Sequence, residues 1–262
     1  MQKMEIKNRK GQNIVGMLSK PEIRIVGTAI LQHGYGGVKE HVQILAIQQA
    51  LLNNGFQVLN FDSTNSFGES DGEYKHARLG LHADDFEDVA NWATKQSWFT
   101  GKFLVAGHSM GGFAAMRYAL RNNIEVNFVI PFAPVISGEL IWAAQKTHNY
   151  SEFERWKNER IIFQDSKSLP GKEKEKPFEV MEEYLLNSLF KENSNNPPTL
   201  LISCELDTSI PPHYIRILYD SLQRDKTFKI LKGARHTPRD PDCLEKLRSI
   251  IDGWLKKKLT AS

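Results

Sequence analysis

Short apolar runs separated by longer amphipathic stretches set the tightest limit on what this chain can fold into. Gly27–Gln32 (GTAILQ), Phe56–Phe61 (FQVLNF), 102–106 (KFLVA) and 126–131 (VNFVIP) are almost continuously apolar, as strands buried on both faces require. Between them, 38–53, 81–96 and Met110–Arg121 read as helices, and 81–96 carries Phe86, Val89, Ala90 and Ala93 on one face. That order predicts an α/β fold, a parallel sheet with helices on both sides. Ahead of it, Lys10-Gly11 offers a turn between Met4-Glu5-Ile6 and Ile14-Val15-Gly16-Met17, so the chain is expected to open with a hairpin.

After Pro134 the alternation stops. Residues 137–189 are charged and aromatic, with Trp142, Tyr150, Phe153, Trp156, Phe163, Phe178 and Tyr184 spread among polar positions. Arg160-Ile161-Ile162-Phe163 followed by Leu169-Pro170-Gly171 predicts one small hairpin between two helices. Strand character returns at Thr199–Cys204 and 228–231, with helices at 213–223 and 241–258. The expected organisation is one core built from 1–136 and 190–262, interrupted by an inserted subdomain at 137–189. A length of 262 residues suits one such domain better than two.

Bulk properties narrow the setting. A formal charge of +3 makes no electrostatic case for nucleic acid or a membrane surface. Cys204 and Cys243 lack the spacing of a disulfide framework or a zinc site, so no metal is expected. The polar N-terminus and the lack of a long apolar stretch predict a soluble, cytoplasmic protein without integral membrane association.

Gly107-His108-Ser109-Met110-Gly111 matches G-x-S-x-G directly after a predicted strand and directly before a predicted helix. A serine on so tight a turn needs small neighbours, and the helix start beneath it supplies free amide donors. A serine hydroxyl is a poor nucleophile unless a positioned base takes its proton and a third group orients that base. His236, in Gly233-Ala234-Arg235-His236-Thr237-Pro238, follows a predicted strand and is the candidate base. His41, His76, His82 and His148 fall on helices or polar loops, His213 lies close behind the acid loop, and His33 and His108 belong to other motifs. Asp207 follows the strand TLLISC and is the candidate acid; Glu205 competes for that role but belongs to the strand end. His33-Gly34-Tyr35-Gly36-Gly37 is a glycine-rich turn after the strand GTAILQ.

With HGYGG, GHSMGG, LDTSIPP and GARHTP in this order and spacing, the chain resembles an α/β-hydrolase of the bacterial esterase and lipase-like group. The resemblance implies a mostly parallel eight-stranded sheet flanked by helices, its second strand antiparallel, with a lid inserted after the sixth strand. It also implies a Ser109, His236, Asp207 triad, with the backbone N–H groups of Tyr35 and Met110 forming an oxyanion hole. Asp62-Ser63-Thr64-Asn65 through Gly72 is similar to the loop after the fourth strand in that group. Ser63-Thr64-Asn65 stands where an arginine is usual, so the resemblance does not carry over the salt bridge that such an arginine makes. The small lid is similar to that of cinnamoyl or feruloyl esterases, and Trp142, Tyr150, Trp156 and Phe163 are its candidate substrate-binding residues.

The expected activity is cleavage of a small-molecule carboxylic ester through an acyl-enzyme, with no cofactor. Thioesterase, short-peptide or acyl-amide hydrolase and cofactor-free perhydrolase chemistry would use the same groups, and a non-catalytic ligand-binding member is the alternative from another class. No nucleic acid partner is expected, and a homodimer is compatible with the sequence.

Overall fold

A computed structural model of the chain describes residues 1–121, 126–166, 169–192 and 195–260. The opening hairpin pairs β1 (Gln2–Lys7) with β2 (Asn13–Ser19), antiparallel, from Gln2 opposite Leu18 to Lys7 opposite Asn13. There follow β3 (Gly27–Gln32), α1 (Val42–Asn53), β4 (Phe56–Phe61), α2 (Leu79–Ala93), β5 (Lys102–His108), α3 (Met110–Arg121) and β6 (Phe128–Phe132). The segment inserted next holds α4 (Gly138–His148), α5 (Tyr150–Glu159), β7 (Ile161–Asp165), β8 (Glu173–Pro177) and α6 (Glu179–Tyr184). The core resumes with β9 (Thr199–Cys204), α7 (Pro212–Ser221), β10 (Lys226–Leu231) and α8 (Pro241–Thr260).

Eight strands form one sheet in the order β1-β2-β4-β3-β5-β6-β9-β10. Only β2 runs against its neighbours, as the resemblance implied. Every residue of β3, β4 and β9 is buried, which explains why those runs do not alternate. One face packs on α1 and α8 through Ile44, Ile47, Leu51, Leu247 and Ile251; the other carries α2 and α3 through Phe86, Val89, Phe113 and Met116. Among the described residues no helix is long and apolar enough to cross a membrane.

Where the helix boundaries depart from the sequence expectation, a tertiary contact is the cause. α1 starts at Val42 and not at 38, because Lys39 is drawn inward: its backbone N–H and its ammonium both donate to the Asp62 carboxylate, each at 2.8 Å. α2 starts at Leu79, two residues early, because the carboxylate of Glu183 on α6 accepts from the N–H groups of Leu79 and Gly80, both at 2.9 Å. A carboxylate at a helix N-terminus satisfies orphan donors and opposes the helix dipole.

Asp62, at the head of the loop that lacks the usual arginine, pairs with Lys39. The lysine side chain is 2% exposed and that of Asp62 is 0%, and Glu69 joins the pair at 2.7 Å. Burial pulls the ammonium pKa down, but hydrogen bonds to Asp62, Glu40 and Glu69 outweigh it and hold the pKa above its ordinary value. A buried salt bridge is therefore present at Asp62, its cation supplied from the loop before α1. Lys39→Met should leave Asp62 buried without its cation and cost about 3–5 kcal/mol in urea unfolding; a loss under 1 kcal/mol would mean that water reaches the site.

The insertion leaves β6 and returns at one rung, where Ser137 and Ser188 form an antiparallel bridge. Ser137 caps α4, its Oγ accepting from the N–H of Leu140. The predicted hairpin forms as β7 and β8, with Ile162 opposite Lys176 and Gln164 opposite Lys174. Its small core is aromatic: Phe178 packs edge-on to Trp142 and Trp156, with centroids 5.7 and 5.4 Å away, and Phe153 lies 4.9 Å from Trp142.

Candidate active site

Ser109 sits between β5 and α3 with φ +57°, a left-handed angle that costs a non-glycine residue about 1–2 kcal/mol. The surroundings enforce it. Its N–H donates to Phe132 O at 3.0 Å, and its carbonyl accepts from Phe113 at 3.0 Å and Val135 at 3.1 Å. A Cβ on Gly107 would stand 2.2 Å from Gly111 O, and one on Gly111 would stand 2.4 Å from Gln32 O. Both glycines of the motif are thus required by close backbone approach.

The three residues expected to act together are brought together. His236 Nε2 lies 3.0 Å from Ser109 Oγ, and His236 Nδ1 lies 2.7 Å from Asp207 Oδ2. The other oxygen of Asp207 accepts from the N–H groups of Ser209 and Ile210, each at 2.9 Å, which fixes the carboxylate in its loop. Glu205 takes no part: it accepts from Lys232 Nζ at 2.6 Å and from Gly233 N–H at 2.8 Å. The arrangement can pass a proton from the serine hydroxyl to the imidazole while the carboxylate holds the tautomer.

His108 belongs to the serine motif, and its side chain has a use the motif does not announce. Burial drives its pKa well below the usual histidine value, so the neutral ring donates from Nε2 to His236 O at 2.8 Å. It thereby ties the histidine loop to the serine turn. Two further neutral histidines hold the HGYGG turn. Ser63 N–H donates to His33 Nε2 at 3.0 Å, so Nδ1 carries the proton and donates to Gly34 O at 2.8 Å. His82, its pKa lowered to about 3 by burial, donates to His33 O at 2.8 Å. The N–H groups of Tyr35 and Met110 have no hydrogen-bond partner among the described residues.

Ser109, His236 and Tyr35 line a cavity of about 480 Å³ roofed by the insertion. Of the aromatic residues expected to bind substrate, Trp156 lines this cavity. Trp142, Tyr150 and Phe163, against expectation, do not. Trp142 faces the insertion's own core against Phe153 and Phe178, while Tyr150 and Phe163 are 61% and 59% exposed. Aromatic content marks a residue for packing but does not say on which side of a helix or hairpin it packs. Sequence reasoning missed other lining residues: His41, whose pKa burial lowers to about 4, and the cations Lys174, Lys176, Arg235 and Arg239.

A mostly parallel eight-stranded sheet with one reversed strand, and a serine at positive φ on a strand-to-helix turn, define an α/β-hydrolase. Within that class the chain belongs to the serine aminopeptidase S33 (Hydrolase_4) family, whose profile matches residues 24–167, more than half its length. Solved structures share the fold at low identity. Est1E from Butyrivibrio proteoclasticus, bound to ferulic acid, superposes with a TM-score of 0.76 at 17% identity, over 98% of this chain and 99% of that one. Mouse alpha/beta hydrolase domain-containing protein 10 gives 0.73 at 17%, over 98% and 99%. The Pyrococcus furiosus esterase Pf2001 gives 0.70 at 20%, over 98% and 92%. An Escherichia coli protein described as an uncharacterized 31.7 kDa protein in the traX-finO intergenic region is 34% identical over 84 residues. That match spans 32% of this chain and 29% of the relative.

Proposed function

We propose that the protein hydrolyses carboxylic esters through an acyl-enzyme on Ser109. The observation that carries this reading is the unbroken hydrogen-bonded chain Asp207, His236, Ser109, with links of 2.7 and 3.0 Å, opening on the cavity. Ser109 Oγ attacks the ester carbonyl as His236 Nε2 takes its proton. The developing oxyanion is met by the N–H groups of Tyr35 and Met110, each contributing about 3–4 kcal/mol when preorganised. His236 then gives its proton to the leaving alcohol, and water, activated by the same imidazole, releases the acid.

The family description also covers aminopeptidases, whose substrates bring a cationic N-terminus. Charge in the cavity opposes that use here: Lys174, Lys176, Arg235 and Arg239 line it, against Asp165 as the one carboxylate among the described residues. A fluorophosphonate probe should label Ser109, and a panel of p-nitrophenyl esters, acyl thioesters and aminoacyl p-nitroanilides should show turnover of the esters. Faster cleavage of the thioesters would move the assignment to a thioesterase, and faster cleavage of the anilides to a peptidase. No labelling and no turnover would leave a binding protein.

A further inference from the structure

The run Glu173-Lys174-Glu175-Lys176 has the look of a solvated charge tract. Extended as β8 and paired with β7, it becomes two-sided, because successive side chains of a strand point to opposite faces. Lys174 and Lys176 fall on the side that lines the cavity, together with Gln164, the cross-strand partner of Lys174. Glu173 and Glu175 are not among the lining residues. The cations of a locally neutral run are thus sorted toward the cavity, against Asp165 of β7 as the one lining carboxylate among the described residues.

Lys176 is the member best placed to meet a ligand. Its ammonium lies 4.6 Å from the centroid of the Trp156 ring, which also lines the cavity, and it has no hydrogen bond or salt bridge among the described residues. Lys174 reaches the HGYGG turn at Gly36. From the opposite side the histidine loop contributes Arg235 and Arg239. A buried polar atom of a lining residue, His41 Nε2, also lacks a partner among the described residues. Positive charge therefore dominates a cavity next to a nucleophile, which favours an anionic ligand.

We propose that the site selects esters whose body carries an anionic oxygen group, a carboxylate or a phosphate, held chiefly by Lys176. This deepens the ester hydrolase reading and rests on it. Burial lowers the Lys176 pKa to about 8, with Glu152 of α5 opposing and Lys174 of its own strand adding to the shift. The selectivity should accordingly fade as pH rises through that value and the ammonium is lost.

Mono-p-nitrophenyl succinate and p-nitrophenyl butyrate differ chiefly in a terminal carboxylate. The kcat/KM ratio should favour the succinate by about tenfold, the lower end of what a charge-assisted hydrogen bond contributes. Lys176→Met, which keeps an unbranched apolar stem on Trp156, should collapse the ratio, and Lys176→Arg should retain it. Monobutyrylglycerol and its 3-phosphate form a second pair, with a phosphate on the alcohol side; preference confined to one pair identifies the source of the charge. Equal turnover within both pairs, or a ratio unmoved by Lys176→Met, overturns the charge inference and leaves the hydrolase reading intact. A separate arm does not depend on turnover: Ser109→Ala is titrated with monoethyl succinate and with ethyl butyrate, read by tryptophan fluorescence. Tighter binding of the anion, lost on adding Lys176→Met, upholds the inference even where no ester is cleaved, and equal binding overturns it.

Discussion

Alanine in place of Ser109 is expected to lower hydrolysis of a short-chain p-nitrophenyl ester by on the order of a millionfold, leaving the far-ultraviolet spectrum and the unfolding transition near their wild-type values. Removing Oγ takes away the atom that would bond to the acyl carbon, but it leaves the backbone bonds of residue 109 to Phe132, Phe113 and Val135 untouched. The same position allows a second measurement. With φ at +57°, alanine inherits the backbone strain whereas glycine does not. Ser109→Gly should therefore be as inactive as Ser109→Ala yet more stable than it by about 1 kcal/mol in urea unfolding. Retained turnover in either variant would remove Ser109 from the mechanism. Equal stability of the two would show that the turn carries no such strain.

Asp207→Asn should reduce kcat by about 10⁴-fold with little change in stability. One carboxylate oxygen accepts from the N–H groups of Ser209 and Ile210, so an asparagine would keep its carbonyl oxygen there and turn its NH₂ toward His236 Nδ1. A donor facing Nδ1 forces the proton onto Nε2, the nitrogen 3.0 Å from Ser109 Oγ. An imidazole in that state has no lone pair to receive the serine proton. A near-normal rate would hand the orienting role to another carboxylate, and Glu205→Gln tests the one weighed from the sequence. Since Glu205 is engaged by Lys232 and Gly233, that substitution is expected to leave kcat unchanged.

Positions fixed by backbone geometry were legible in the sequence. Gly107 and Gly111 flank Ser109 because any side chain there would meet backbone atoms, so the turn is written in residue types. Asp207 and His236 follow strands whose apolar runs could be read, and chain order did the rest. What stayed hidden depends on which distant groups meet. Lys39 in a glycine-rich loop gives no local sign that it will be buried against Asp62. Trp142, Tyr150 and Phe163 share their composition with Trp156 but not its direction. The alternation of Lys174 and Lys176 with glutamates did hold a period-two signal, and its meaning became readable only once the segment was known to be a strand.

The rung joining Ser137 to Ser188 bears on how this architecture can change. A segment whose ends rejoin at one point can be lengthened, trimmed or exchanged for little loop-closure entropy, and Ser109, Asp207 and His236 all lie outside it. Exchange by recombination would carry away Lys174, Lys176 and Trp156 as a cassette while leaving Arg235 and Arg239 behind. The incoming piece would need one counterpart of Glu183 to satisfy the N–H groups of Leu79 and Gly80. On the proposed reading, the groups for the reaction and part of those that would select the substrate lie on separate stretches of chain.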